Sequence, residues 1–340
     1  MPPTLTPPGR RTMPRSASRL SSPSRRGFLA GGLGAAAALG LAACGQGGAQ
    51  PAQSSPARTR VVDTVKGKVT VPVDPQRMVV INPQVRSTLY DLNLVPLGVY
   101  DEGAQYIPPR YRERAAAATK IGTGGEIDLE KIAALKPDLI LGIDYEWNTS
   151  SYDKLTALAP TVIVPATSWQ ESARATAEAV GQGEALSALD KRFTTTAAEL
   201  RSRYAAVLGR YRWDILQGGF DQGKFWLYGP KSDAGAILAA AGVRFAPAST
   251  GVTGPENKAV SYENVDLLGT ADVIGFYANF DNTPNNNGPQ LFAQTGFKGL
   301  PAVKAGRTVA LPDFLPGGYG DALALLDELE AGLRALGGQS

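Results

Sequence analysis

The apolar positions of this chain fall into two patterns. Short runs rich in β-branched residues predict buried strands, and longer stretches with apolar residues three and four apart predict helices. From the amino end, residues 77–82 read as a strand closing in an Asn-Pro turn, 87–92 as helical and 95–99 as a second strand. Residues 127–135 read as a helix closed by Lys136-Pro137, 138–142 as a buried strand, 152–158 as a helix and 161–164 as a further strand. Residues 185–208 contain neither Pro nor Gly and carry Leu186, Leu189, Phe193, Leu200, Tyr204 and Leu208 at helical spacing. That stretch predicts one helix of roughly 36 Å. The alternation then resumes, with strands at 213–217, 225–228, 272–276 and 308–311, a helix over 234–241 closed by Gly242, and a final amphipathic helix over 321–336. The pattern predicts an α/β fold of two lobes, each with a central parallel sheet covered on both faces, joined by one long backbone helix.

The two lobes contain a similar segment. Ile127-Asp-Leu-Glu-Lys-Ile132, then Leu135 and Pro137-Asp-Leu-Ile140, is a helix feeding a buried strand. Val260-Ser-Tyr-Glu-Asn-Val265, then Leu268 and Ala271-Asp-Val-Ile274, repeats the plan. Each copy puts one glutamate, Glu130 or Glu263, in the first turn of its helix, where the helix dipole favours an acid. Open parallel sheets bind ligands outside the carboxyl ends of their strands, so the two lobes predict a ligand cleft between them.

Composition narrows the chemistry. Of 340 residues, 43% are hydrophobic, enough for two compact units. There is no histidine and one cysteine, Cys44. No disulfide can close within the chain. A Ser-His-Asp or Cys-His nucleophile has no base, and a zinc site lacks its usual donors. A nitrogenase-like two-lobed enzyme would need cluster-ligating cysteines. Residues 1–43 hold six arginines and no acid, and removing those six from the 34 Lys and Arg leaves 28 against 31 Asp and Glu. The basic character therefore belongs to the leader, and nothing predicts a nucleic-acid partner. Gly218–Lys224 has the spacing of a phosphate loop, yet no Ser or Thr follows the lysine and a strand follows instead of a helix. No catalytic constellation emerges.

The leader runs Ser24-Arg-Arg-Gly-Phe-Leu29 into a Gly/Ala/Leu stretch ending Leu41-Ala-Ala-Cys44. It has the charged start, apolar middle and small-residue cleavage site of a secretory signal. The paired arginines resemble a twin-arginine signal, and Leu41–Cys44 resembles a lipobox. Residues 1–43 are expected to be removed, Cys44 to be lipidated, and 44–60, rich in Gly, Gln, Ser, Ala and Pro, to act as a tether. The expected folded boundaries are 61–184 for the first lobe, 185–208 for the linking helix and 209–340 for the second lobe.

Three segments carry a family resemblance: Asp128-Leu-Glu-Lys-Ile-Ala-Ala-Leu-Lys-Pro-Asp-Leu-Ile-Leu141, Leu227-Tyr-Gly-Pro-Lys-Ser232 with Ala234-Gly-Ala-Ile-Leu238, and Leu300-Pro-Ala-Val-Lys-Ala-Gly-Arg307. With the lipobox, they make residues 60–337 resemble the helical-backbone class (class III) of ABC-importer substrate-binding lipoproteins, which carry ferric siderophores, haem and cobalamin. The resemblance implies two Rossmann-like lobes, no enzymatic activity and no cofactor. It implies a ferric siderophore chelate as ligand, with haem or cobalamin as the alternative, and a monomer lipid-anchored on the extracytoplasmic face of the membrane. It also implies an iron-siderophore permease with its ATPase as partner, engaged through Glu130 and Glu263. A sensing or adhesion lipoprotein on the same fold is the remaining alternative, since fold does not fix function.

Candidate ligand residues are those in loops after the strands: Arg86, Tyr106, Tyr145, Trp147 and Trp169 in the first lobe, and Phe220, Tyr277, Asn279, Phe314 and Tyr319 in the second. Aromatics with a few donors suit a bulky, partly polar chelate, and Arg86 could face a negatively charged one. A siderophore supplies the iron ligands itself, so no protein metal ligand is expected. Where hydroxamate-binding relatives often have an arginine this chain has Gln217-Gly-Gly-Phe220, and where they have a tryptophan it has Pro312-Asp-Phe314.

Overall fold

The computed structural model describes residues 58–338. The leader, Cys44 and most of the tether lie outside the described residues. The fold begins with an antiparallel hairpin, β1 (Thr59–Thr64) and β2 (Gly67–Pro72), turned through Val65 and Lys66. Sequence reading passed over it, because its alternation is partly exposed and its lone Gly67 is an inconspicuous turn signal.

The first sheet consists of β3 (Met78–Val80), β4 (Gly98–Asp101), β5 (Thr119–Thr123), β6 (Glu126–Ile127), β7 (Leu139–Ile143) and β8 (Thr161–Val164), in the order β6-β5-β4-β3-β7-β8. All its pairs are parallel except β5–β6. That exception turns through Gly124-Gly125, both at positive φ (63° and 88°), as a two-residue hairpin of primed type requires. β4 lies nearer the carboxyl end than expected, at Gly98–Asp101. The helix after β3 starts earlier than expected, at Pro83–Asp91. Asn82-Pro83 is therefore its start and not a free turn: the Asn82 side chain accepts from the Gln84 N–H, and Pro83 occupies a position where no N–H is needed.

The second sheet consists of β9 (Arg212–Gly218), β10 (Lys224–Tyr228), β11 (Arg244–Phe245), β12 (Lys258–Ser261), β13 (Val273–Tyr277) and β14 (Thr308–Leu311). Its order is β12-β10-β9-β13-β14, with β11 paired to the start of β9. It is mixed and not purely parallel: β10 runs antiparallel to both β9 and β12. The cause is loop length. Residues 219–223 alone separate β9 from β10, whereas a parallel crossover needs about a dozen residues.

The internal similarity has a structural reason. Asp138 accepts from the backbone N–H of Gln76 (2.8 Å) and Arg77 (2.9 Å), pinning the chain just ahead of β3. Asp272 accepts from the Arg212 N–H at 2.9 Å and pins the start of β9. Each aspartate thus fastens one central strand to its neighbour. The helical halves of the repeat differ: Leu129–Leu135 is an α-helix, while Tyr262–Thr270 is a 3-10 segment with non-helical φ/ψ at Asn264.

The linking helix spans Gly183–Arg203, breaks at Tyr204, and is followed by the shorter helix Ala205–Arg210. It is therefore not the single helix over 185–208 that the spacing predicts. At the break Glu330 gathers Arg203 (2.7 Å), the Tyr204 hydroxyl (3.0 Å) and Arg334 (2.8 Å), so the local geometry answers to the last helix, Tyr319–Gly337. That last helix packs against the linking helix, the helix Asp233–Ala240 and Pro83–Asp91 of the first half. The largest core is accordingly continuous. It runs from Val80 and Leu141 in one half through Trp169 and Phe193 to Trp213, Ile237 and Leu329 in the other.

Close packing at the start of the last helix needs small residues. A Cβ on Gly317 would stand 2.6 Å from the Gln84 Cα, a backbone atom with little freedom to move. Gly317→Ala should therefore destabilise the protein by about 1–3 kcal/mol. Gly209→Ala, in a helix with open space around it, should raise stability by up to about 1 kcal/mol. Thermal melts of the two variants check the pair, and a wild-type midpoint for Gly317→Ala would refute the close approach.

Candidate functional site

A cavity of about 760 Å³ opens at the carboxyl ends of the parallel strands of both sheets. It is reached by Asn82 just after β3, Asp101 at the end of β4, Thr123 at the end of β5, Tyr145 after β7, Gln217 near the end of β9 and Tyr277 at the end of β13. This is where an open α/β sheet places its ligands, and the volume is that of a small-molecule site. Six aromatic side chains stand on its walls among polar ones such as Asn82, Gln84 and Gln217. Tyr100, Tyr106, Tyr145 and Trp147 come from the first half, and Phe220 and Tyr277 from the second. Tyr100 and Trp147 pack against one another with centroids 4.8 Å apart. Phe220, 66% exposed, rests edge-on against Trp226 at 5.0 Å. Burial lifts the Tyr277 and Tyr145 hydroxyls above the ordinary tyrosine range, so both stay protonated and able to donate.

The sequence-derived candidates divide accordingly. Tyr106, Tyr145, Trp147, Phe220 and Tyr277 line this cavity. Arg86, Trp169, Asn279, Phe314 and Tyr319 do not. Trp169 is 2% exposed and packs edge-on against Phe193 (5.5 Å) and Tyr319 (4.8 Å). Tyr319 gives its hydroxyl proton to Asp190 at 2.7 Å. Phe314 is fully buried between Tyr228 and Tyr277. These three are core residues: Phe193 of the linking helix and Tyr319 at the start of the last helix close over Trp169, and Tyr228 and Tyr277 enclose Phe314. Arg86 lines a smaller adjoining cavity of about 60 Å³. It is 2% exposed and donates from Nη1 to Glu102 at 2.5 Å, which offsets its charge, while its buried Nε has no acceptor among the described residues.

Asn279 organises its loop instead of facing the cavity. It donates to Thr283 (3.0 Å) and accepts from Asn285 (2.7 Å). The loop presents Asn286 at φ 51°, on the cavity wall, with a buried amide nitrogen that has no acceptor among the described residues. An orphaned donor on a cavity wall is a ligand contact in waiting. Sequence reading missed Asn286. The run Asn285-Asn286-Asn287 was the available signal, because asparagine tolerates the left-handed region better than other side chains.

Below the cavity lies a charged seam between the halves. Arg110 grips Asp313 with both terminal nitrogens (3.0 and 2.6 Å) and also reaches Asp321. Asp321 accepts from the Gly317 N–H at 2.8 Å, and Asp91 accepts from the Gly320 N–H at 2.8 Å and from the Tyr111 hydroxyl. Thr88 donates to the Gly317 carbonyl at 2.8 Å. Burial works against the Arg110 charge, but the hydrogen bonds to Asp313 and the charges of Asp321 and Asp313 outweigh it and hold the guanidinium above its usual range. Burial, then the charge of Asp321, lifts the Asp91 carboxyl to about 6. Burial, then the charge of Asp313, holds Glu328 well above the usual carboxylate range.

An acid whose folded pKa is raised binds its proton more tightly folded than unfolded. Its contribution is fully favourable below the unfolded value of about 4 and declines as pH rises towards the folded value. Glu328→Gln keeps an acceptor for the Asp313 N–H, which Glu328 now binds at 3.1 Å, and cannot ionise. Its melting temperature relative to wild type should rise steadily from pH 5 to pH 8. A constant difference across melts in that range would rule out a buried, reluctant carboxyl.

Glu130 and Glu263 are exposed. Each stands in the first turn of its helical segment, behind a capping side chain: Asp128 accepts from the Lys131 N–H (3.0 Å) and Ser261 from the Glu263 N–H (3.3 Å).

The family described as Periplasmic binding protein matches residues 78–314. A Bacillus subtilis (strain 168) protein named "Probable siderophore-binding lipoprotein YfiY" is 27% identical over 322 residues, covering 86% of this chain and 94% of the relative. The Fe(3+)-citrate-binding protein YfmC of the same organism is 33% identical over 104 residues, covering 31% of this chain. The chain spans 33% of that relative's length. Among solved structures, the siderophore periplasmic binding protein from the fuscachelin gene cluster of Thermobifida fusca superimposes with a TM-score of 0.68 at 26% identity, over 78% of this chain and 98% of that one.

Proposed function

The chain belongs to the periplasmic binding protein family, and on that premise we propose that it captures a ferric siderophore outside the cytoplasmic membrane and hands it to the permease of an ABC importer. The observation that carries this reading is the aromatic cleft, which six rings from both halves line at the strand carboxyl ends. Flat apolar faces with a few donors suit a bulky chelate with a mixed surface. The sequence has no histidine, and a chelate whose iron is already coordinated asks for none. Lipidation at Cys44 would keep the binding unit beside its permease. The two exposed glutamates, one from each half, would register the loaded protein on that permease.

The test is tryptophan fluorescence of the full chain, titrated with a panel of ferric chelates, their iron-free forms, haem and cobalamin. Trp147 lies on the cavity wall. A ferric chelate should therefore quench saturably, its iron-free form should not, and Trp147→Phe should remove most of the signal. Quenching by haem or cobalamin alone would replace the ligand. Silence throughout the panel would overturn the capture reading.

Docking is tested separately. Replacing Glu130 and Glu263 together by alanine should abolish uptake of labelled ferric chelate by cells while leaving affinity in solution unchanged. Uptake that survives the double change sinks the docking role.

A further inference from the structure

The charges around the cleft are unbalanced. Two carboxylates, Asp101 and Glu102, line the large cavity, and among the described residues no lysine or arginine does. The adjoining small cavity adds Asp313 and Asp321 and one cation, Arg86. Arg86 is 2% exposed and its Nη1 is committed to Glu102 at 2.5 Å. Of the cations nearby, Arg110 is paired with the carboxylates of Asp313 and Asp321. Arg112 and Lys120 bond backbone carbonyls instead and keep their charge: Arg112 donates to the Ile107 carbonyl at 3.1 Å and lies over the Phe280 ring, and Lys120 donates to the Ala115 carbonyl at 2.6 Å.

We infer that the cleft selects ferric chelates of neutral or positive net charge and rejects polyanionic ones, with Glu102 setting the rule by neutralising Arg86. The inference rests on the capture reading above and narrows its substrate class. A cleft walled by aromatics and carrying unpaired negative charge focuses a field that repels anions, and like charges brought together there are strongly unfavourable. A tris-catecholate or dicitrate complex of ferric iron brings several negative charges and meets Asp101 and Glu102 on the wall of the large cavity, where no described lysine or arginine stands. A trihydroxamate complex is neutral, and one bearing a free ammonium is positive. The aromatic faces of Tyr106, Tyr145 and Trp147 would add cation–π attraction for that ammonium.

The experiment is a charge series on the full chain by fluorescence titration. The probes are a linear ferric trihydroxamate with a free ammonium, a cyclic neutral ferric trihydroxamate, ferric dicitrate and a ferric tris-catecholate. The two hydroxamates should bind at least about tenfold more tightly than the two anionic complexes. Glu102→Gln, which frees Arg86 from its carboxylate, should shrink that ratio about tenfold. Should that variant unfold, Asp101→Asn removes the other carboxylate and keeps the oxygen that accepts from the Gly103 N–H at 3.1 Å. It should shift the ratio in the same direction. Equal or tighter binding of the anionic complexes to wild type would overturn the charge rule and leave capture standing. Unchanged ratios in a folded variant would remove these carboxylates from the rule. Silence from every chelate would overturn capture itself, and the inference with it.

Discussion

One guanidinium organises the base of the cleft. Arg110 comes from the first half of the chain, and the two aspartates it holds, Asp313 and Asp321, come from the second. Neither aspartate has an appreciable share of solvent, with side chains 6% and 5% exposed. Buried carboxylates without a cation are strongly unfavourable, so the pairing fixes where the segment carrying them can sit. That segment includes Pro312 and Leu315 of the cavity walls and Gly317 and Gly320, whose N–H groups are bound by Asp321 and Asp91. Moving Arg110 would therefore release one wall of the cleft and the start of the last helix together.

The apolar packing works to the same end. A single large core runs through both halves, with Trp169, Phe193 and Tyr319 packed as three mutually edge-on rings where the linking and last helices meet. Two lobes with separate cores could hinge freely. Lobes that share a core can change their relation only by repacking dense side chains, and such interiors resist continuous deformation. Ligand capture by this fold is thus expected to involve side chains and loops at the strand ends more than wide closure. Phe220 and Tyr106, both exposed, are the cavity-wall rings with space around them to adjust.

What could be read from sequence followed from local pattern. Central strands such as Leu139–Ile143 and Thr161–Val164 are uninterrupted apolar runs, buried at every position, and no other element tolerates such a run between turn signals. The equivalence of Asp138 and Asp272 was visible as a repeat before its purpose was. What escaped depended on partners far along the chain. Whether Trp169 or Trp147 faces a ligand is decided by which helix covers it, and both looked like aromatics in a loop after a strand. The direction of β10 follows from the five-residue connection 219–223 and not from the apolar pattern of the strand itself. Arg86 reads as a free cation because its partner Glu102 lies sixteen residues on, past the next strand, while Arg86 itself sits in the helix Pro83–Asp91.

That pairing bears on how a protein of this kind could discriminate among ligands at all. Iron in a chelate is saturated by the chelate's own oxygens, so the protein cannot choose by coordination chemistry. It is left with shape, aromatic surface, a few oriented donors and net charge. In this cleft the shape is set by the seam through Arg110, the surface by six rings, and the donors by residues such as Asn286 and Tyr277. Charge is the one of these that a single side-chain pairing, Arg86 with Glu102, shifts by a whole unit. With Arg86 free, the site would present a buried cation to an incoming chelate. Glu102 beside it would offset that cation and leave Asp101 to set the charge of the large cavity.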